Sequence, residues 1–587
     1  MRSTSYAAAL TAVFGLALAS GPAACQEWNP FDPFASQERK PEPRQQPAPK
    51  AESDDVGPPH ISDKADAVER GDLSPVMAAD GSGLPVELWG GLDVGTLERL
   101  IAELEIPPRS PALHQLWLRL ITSEVTPPAG GATDQHFLAL RLETLYRSGL
   151  LEDASRLLAK MPPGDPVVAT LAARNEIGIG DRDRGCATAQ GAGAPGAALP
   201  KPLKEQAALI SGYCATVAGD APGAGLAAEI AREEGVKESA GLQALDAISM
   251  GSKPTIPPDQ PISLLDYRLI EAAGGAIDTG AVIKHAAPSL LAALALDAHA
   301  ESGLKLAAAE GAAQVNSITP QELADIYRAQ SAGAAAVVSD ADGTDTPQRR
   351  ATLFAAAENE RTPQKKVRLI RSFLDEAHRA GFYLTALRMV APASDGIEAA
   401  PEIGWFAETG IEVALAAGNY DKARSWATFG STSGGGGSLN HWLALIDIAD
   451  SKGANDREAD LHYVEELAVR GRLDPTLLHR LATVLDALEY NVPIPLWEAA
   501  SRTPQPAGGH LPETGVLSEL QDAAKKHEFG RTVLLAMKTL GPNGAEGAHM
   551  ITLGDSIRAL KRAGLESDAR NLGFEALFAG WPRAITN

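Results

Sequence analysis

A glycine followed five residues later by an alanine, flanked by apolar residues, recurs along this chain and restricts its fold more than any other feature. The pairs are Gly149 and Ala154, Gly219 and Ala224, Gly381 and Ala386, Gly418 and Ala423, and Gly564 and Ala569. Gly180 and Gly185 form a degenerate copy. Glycine accepts the left-handed backbone conformation that a β-carbon resists, so it ends a helix. Asp or Glu often follows, as in "GLLEDA", "GNYDKA" and "GLESDA", and acidic side chains favour the N-terminus of the next helix. The alanine lets the returning backbone approach the outgoing one. The pattern predicts helical hairpins with these ten residues at turns and contacts.

Other signals agree. Aromatic residues are only 5% of the 587, while the abundant alanine and leucine are strong helix formers. In "SPALHQLWLRLI", Ser110 is an N-cap, Pro111 suits the first turn, and Leu113, Leu116, Trp117, Leu120 and Ile121 fall on one face. Trp117 is read as core. In "TPQELADIY", Thr319, Pro320 and Glu322 make a capping box ahead of Leu323, Ile326 and Tyr327. No sustained apolar/polar alternation with β-branched bias occurs, so no strand is predicted.

The glycine and alanine positions around these turns resemble those of tetratricopeptide-like repeats. The resemblance implies an all-α fold in which helical-hairpin repeats stack into an α-solenoid, each burying its apolar face on its neighbours. It carries over no binding residues. Spacings of 31, 39 and 37 residues (Gly149 to Gly180, Gly180 to Gly219, Gly381 to Gly418) depart from a regular array of about 34. The signal fades between Gly418 and Gly564. A helical bundle that reuses one turn is the alternative.

The chain opens with "MRSTSYAAALTAVFGLALASGPAACQ", an early arginine, an apolar run and small residues, which reads as a secretory signal peptide over 1–25. The run is too short for a lasting membrane span, so no transmembrane helix is expected in the mature chain. Cys25 leaves a lipid anchor open, although Pro22 stands where the lipobox usually has leucine. The expected location is periplasmic or otherwise exported, with an outer-membrane lipoprotein as the lesser option. Residues 26–90 are rich in Pro, Glu, Gln and Lys and read as a disordered linker. Two helical-repeat domains follow, 91–345 and 346–587. Their boundary is placed at "SAGAAAVVSDADGTDTP".

A formal charge of −23, from 52 basic and 75 acidic residues, disfavours nucleic acid as a partner. Export permits disulfides. Cys186 and Cys214 lie on segments read as neighbouring helices and are predicted to pair. No CxxC occurs, and no two histidines share a helical turn, so no metal site is expected. Nor is a cofactor.

Catalytic motifs are incomplete. Ser302 and Lys305 match serine-x-x-lysine, but no SDN follows and "KTLG" at Lys538 to Gly541 breaks the partner motif. Gly434 to Gly437 lacks the Lys and Ser or Thr of a phosphate loop, and "GSTSG" puts threonine where a nucleophile elbow has serine. His462 and Glu465 make at most half a metal site. Some periplasmic lytic transglycosylases join an α-superhelix to a lysozyme-like domain whose motif is glutamate-serine and then, one residue on, an aromatic. Glu52-Ser53, Glu238-Ser239, Glu301-Ser302 and Glu566-Ser567 all lack that aromatic.

The expected function is a non-catalytic exported scaffold or adaptor that binds protein partners in the bacterial cell envelope through a helical-repeat surface. The alternative is a peptidoglycan-acting enzyme, lytic-transglycosylase-like, whose active site the sequence does not reveal. A small-ligand carrier using the inner groove is a third reading.

Overall fold

The computed structural model describes residues 88–583 apart from 124–126, 131–133, 162–164, 192–198, 256, 258–259, 276–277, 332–344, 433–438 and 451–459. The expected signal peptide with Cys25, the expected linker up to residue 87, the glycine run Gly434 to Gly437 and most of the expected boundary before residue 345 lie outside the described residues. Leu88 and Trp89, within the span read as linker, are buried.

All regular structure among the described residues is helical: twenty-eight α-helices and one 3-10 helix, Pro401–Phe406. Isolated β-bridges join Asp93 with Ala129 and His510 with Ala548. The helices start where side chains can take their orphan amides. The Ser110 hydroxyl accepts the Leu113 N–H at 3.2 Å, ahead of the Pro111–Thr122 helix, whose Leu113, Leu116, Trp117, Leu120 and Ile121 are buried. Burying each such large side chain contributes about 1.5–3 kcal/mol. Before Pro320–Ser331, the Thr319 N–H donates to Glu322 at 2.6 Å and the Glu322 N–H donates to the Thr319 hydroxyl at 3.1 Å.

The glycines sit at bends. Gly149, Gly180, Gly219, Gly381, Gly418 and Gly564 have φ between 72° and 92°. In each case the N–H just after the glycine bonds back across the turn. Leu150 donates to Leu145, Asp181 to Glu176, Asp220 to Ala215, Phe382 to Ala377, Asn419 to Ala414 and Leu565 to Leu560, all at 2.8 to 3.1 Å. This satisfies carbonyls that the helix end would leave unpaired. Ala154, Ala224, Ala386, Ala423 and Ala569 are each no more than 2% exposed. At Gly185 even an alanine would not fit, because its β-carbon would lie 2.6 Å from Ile177 Cγ1.

The same turn also occurs without glycine. Asn316, Glu489 and His527 have φ of 57°, 65° and 55°, and Ser317, Tyr490 and Glu528 donate back to Ala312, Leu485 and Ala523. That explains the fading pattern between Gly418 and Gly564. Gly471, Glu489 and His527 hold those bends, and Thr476, Ile494 and Thr532 stand where the alanine would be.

Successive helices pack on one another through most of the chain, and then its described ends meet. Val94–Ala102 and Pro111–Thr122 pack against Phe529–Leu540, and Pro111–Thr122 also against Glu566–Phe578. The Gly530 N–H donates to Leu88 O at 2.9 Å. Lys538 Nζ donates to Glu103 Oε2 at 2.6 Å, and Arg119 pairs with Asp568. One hydrophobic core runs from Leu88 to Trp581, and a second, more local one from Leu151 to Ala308. All described residues belong to one compact unit. Across residues 332–344, Arg328 pairs with Glu358 at 2.8 Å and Arg350 with Glu310 at 2.6 Å. No helix among the described residues is long and apolar enough to cross a membrane.

Candidate functional site

Among the cavities bordering the Pro111–Thr122 helix are three of about 740, 680 and 640 Å3. Three predicted turn glycines line them, one each: Gly149, Gly418 and Gly381. The other glycine and alanine pairs line none of these three. The hairpin bends thus supply part of the wall around a helix that arrives from the start of the described chain.

The 680 Å3 cavity has the most chemistry. Its walls include Gln115, Leu384, Arg388, Tyr420, Asn571, Phe574 and Glu575. Arg388 projects from Tyr383–Ser394. Its Nε donates to Ala416 O at 3.1 Å, serving one open carbonyl at the end of Ala407–Ala416. No carboxylate of a described residue lies within ion-pair distance of it. Burial lowers the Arg388 pKa, opposed by the nearby Glu575 and Tyr420. The side chains of Gln115, Tyr420 and Asn571 make no hydrogen bond with the described residues. Asp395, at the rim, faces Lys422 Nζ at 3.5 Å.

Glu575 belongs to this cavity and to the 640 Å3 one, which Glu546 also lines. It is 6% exposed. Its Oε2 accepts the Ala112 N–H at 3.0 Å, so a residue 463 positions away caps the start of the Pro111–Thr122 helix. Burial pushes the Glu575 carboxyl up to about 7, while bonds from Ser110 and Ala112 pull the other way. On the third side of the helix, burial followed by the Arg388 charge lowers His114 to about 4.

The motif-like residues have other roles. The Ser302 hydroxyl donates to Gln330 Oε1 at 2.6 Å, and Lys305 Nζ to Asp297 O at 2.9 Å. Glu301 caps its own helix by accepting from Gly303 and Leu304. Ser239 caps Ala240–Ser249, and Glu566 pairs with Arg570 at 2.8 Å. His462 is exposed, and no group of three or more His, Cys, Asp or Glu that could hold a metal occurs among the described residues. Cys186 and Cys214 are joined in a disulfide with Cα atoms 5.5 Å apart, linking Arg182–Gly191 to Lys201–Val217.

Arg388 and Glu575 went unnoticed in the sequence, although a signal existed. Each is a charge inside an apolar run, "LTALRMVA" and "LGFEALF", where a solvated helix face would not put it. No family model, curated protein or solved structure matches the chain.

Proposed function

We propose that the chain is an exported scaffold or adaptor of the bacterial cell envelope, a degenerate tetratricopeptide-like α-solenoid that binds protein partners without catalysing a reaction. In this reading 1–25 is a signal peptide, the residues after it as far as 87 a tether, and 91–345 and 346–587 the two parts of the array. The observation that supports it most is exposed apolar surface on neighbouring helices. Val469 ends Leu461–Val469, and Ile494 and Trp497 lie on Ile494–Ser501, with exposures of 63%, 72% and 46%. Large apolar and aromatic side chains left in water at one place are characteristic of docking surfaces. A photo-crosslinker at position 497 in intact cells should trap a protein, and Ile494→Asp should lower the yield about tenfold or more. A product of equal yield in the I494D variant would remove this surface from the proposal. Cell fractionation tests export, and a diacylglyceryl mass on Cys25 would identify a lipid anchor.

Glu575 favours a second reading, a peptidoglycan-acting enzyme. A buried carboxyl with a raised pKa, sharing a cavity with Glu546, has the protonation a general acid needs. Purified protein incubated with peptidoglycan decides. Digestion abolished by Glu575→Gln, with the fold retained, would establish the enzyme; intact glycan strands leave the scaffold.

A further inference from the structure

Arg388 poses a specific problem. A guanidinium keeps its charge at any ordinary pH, and Arg388, half-buried in a cavity wall with no described carboxylate beside it, presents that charge to whatever enters the cavity. Here the Nε bond to Ala416 O is the one hydrogen bond that the guanidinium makes with the described residues. Its two Nη atoms have none and are open to solvent, and they belong to a half-buried residue that lines a 680 Å3 cavity. Gln115, Tyr420 and Asn571 line the same cavity with donors equally unused. Leu384 and Phe574 supply apolar wall.

A carboxylate matches this set. Its two oxygens accept two parallel N–H bonds from a guanidinium, and the amides and phenol can serve the remaining lone pairs. One cation suits one negative charge. A phosphate dianion would bring a second charge toward Glu575, and Asp395 at the rim is already balanced by Lys422. We propose that this cavity binds a ligand through a single carboxylate held by the Nη atoms of Arg388, with Gln115, Tyr420 and Asn571 around it and an apolar body against Leu384 and Phe574. The carboxylate belongs either to a small organic acid or to the C-terminus of an extended peptide. The site does not depend on the scaffold reading, because the exposed helices around Trp497 take no part in it.

Calorimetry on the purified full chain tests the idea with two pairs of probes: N-acetyl-leucine and its amide, and the tripeptide Ala-Ala-Leu as free acid and as C-terminal amide. Within at least one pair the acid should bind and its amide should bind roughly tenfold or more weakly. Binding by only the small acid, or only the peptide acid, identifies the source. Arg388→Gln should abolish the preference for acid over amide. If that variant fails to fold, because the Ala416 carbonyl loses its donor, Asn571→Leu replaces it and should weaken acid binding several-fold with an unchanged melting temperature. Acids and amides of equal affinity, or no binding of either acid at millimolar concentration, would overturn the proposal.

Discussion

Between Leu151 and Ala308 the second core is built from alanine, leucine, isoleucine and valine with two tyrosines, Tyr213 and Tyr267. The main core holds larger rings, among them Trp117 on one of the first described helices and Trp442, Phe574, Phe578 and Trp581 late in the chain. Trp581 lies 6.4 Å from Trp442 and 6.5 Å from His441, centroid to centroid. The local region brings together residues close in sequence, with small contacts and a disulfide. The closing region joins residues more than 400 apart, such as Ala112 and Glu575. Hairpins need little area because the turn has already brought their helices together. A long-range junction has no such help and needs more buried surface to offset the chain entropy it removes.

The sharpest way to break this comparison is at Trp117, which is 0% exposed and donates to the Ser148 hydroxyl at 3.2 Å. Trp117→Ala should cost about 3–5 kcal/mol in urea unfolding, whereas Ile210→Val in the local core should cost about 0.5–1.5. Similar losses would mean that the two regions do not differ in the way argued. Next comes the disulfide. It closes a separation of 28 residues, so reducing it should remove roughly 3–4 kcal/mol on the chain-entropy account. Mass measurement under nonreducing conditions should find Cys186 bonded to Cys214, and two alkylated thiols in the purified protein would contradict that bond.

Smaller effects sharpen the account of the turns. Gly219→Ala should cost about 1 kcal/mol, from the left-handed backbone alone, because nothing lies within 4 Å of the new β-carbon. Gly149→Ala should cost clearly more, since its β-carbon would meet Pro288 O at 2.8 Å. Equal losses in calorimetric melting would show that Gly149 relaxes freely. His527→Gly should instead gain about 0.5 kcal/mol, relieving a left-handed residue while giving up some chain stiffness. A separate signal is in the pH slope. The Glu575 carboxyl sits at about 7 when folded against 4.5 ordinarily, so the folded state holds its proton more tightly. Its contribution is complete below 4.5 and disappears as pH rises through about 7. Glu575→Gln should flatten that part of the stability profile, and an unchanged slope would refute the assignment.

The Gly-to-Ala spacing was legible because each turn is a local event, fixed by one φ angle and one back-bonded amide. The caps at Ser110 and Thr319 were legible for the same reason. Asn316, Glu489 and His527 were hidden, since a residue that only tolerates the left-handed region leaves no mark in the sequence. The candidate site was hidden more deeply. Arg388 and Glu575 are charges inside apolar runs, but nothing near either residue indicates the other.

By itself the sequence determined that the chain is helical and where several of its bends fall, because those follow from backbone preferences within a few residues. Only the tertiary structure decided that Glu575 caps the helix at Ala112 and that Arg388, Gln115, Tyr420 and Asn571 share one cavity. Such meetings depend on how many successive hairpin angles add up around the chain, and no short segment carries that sum.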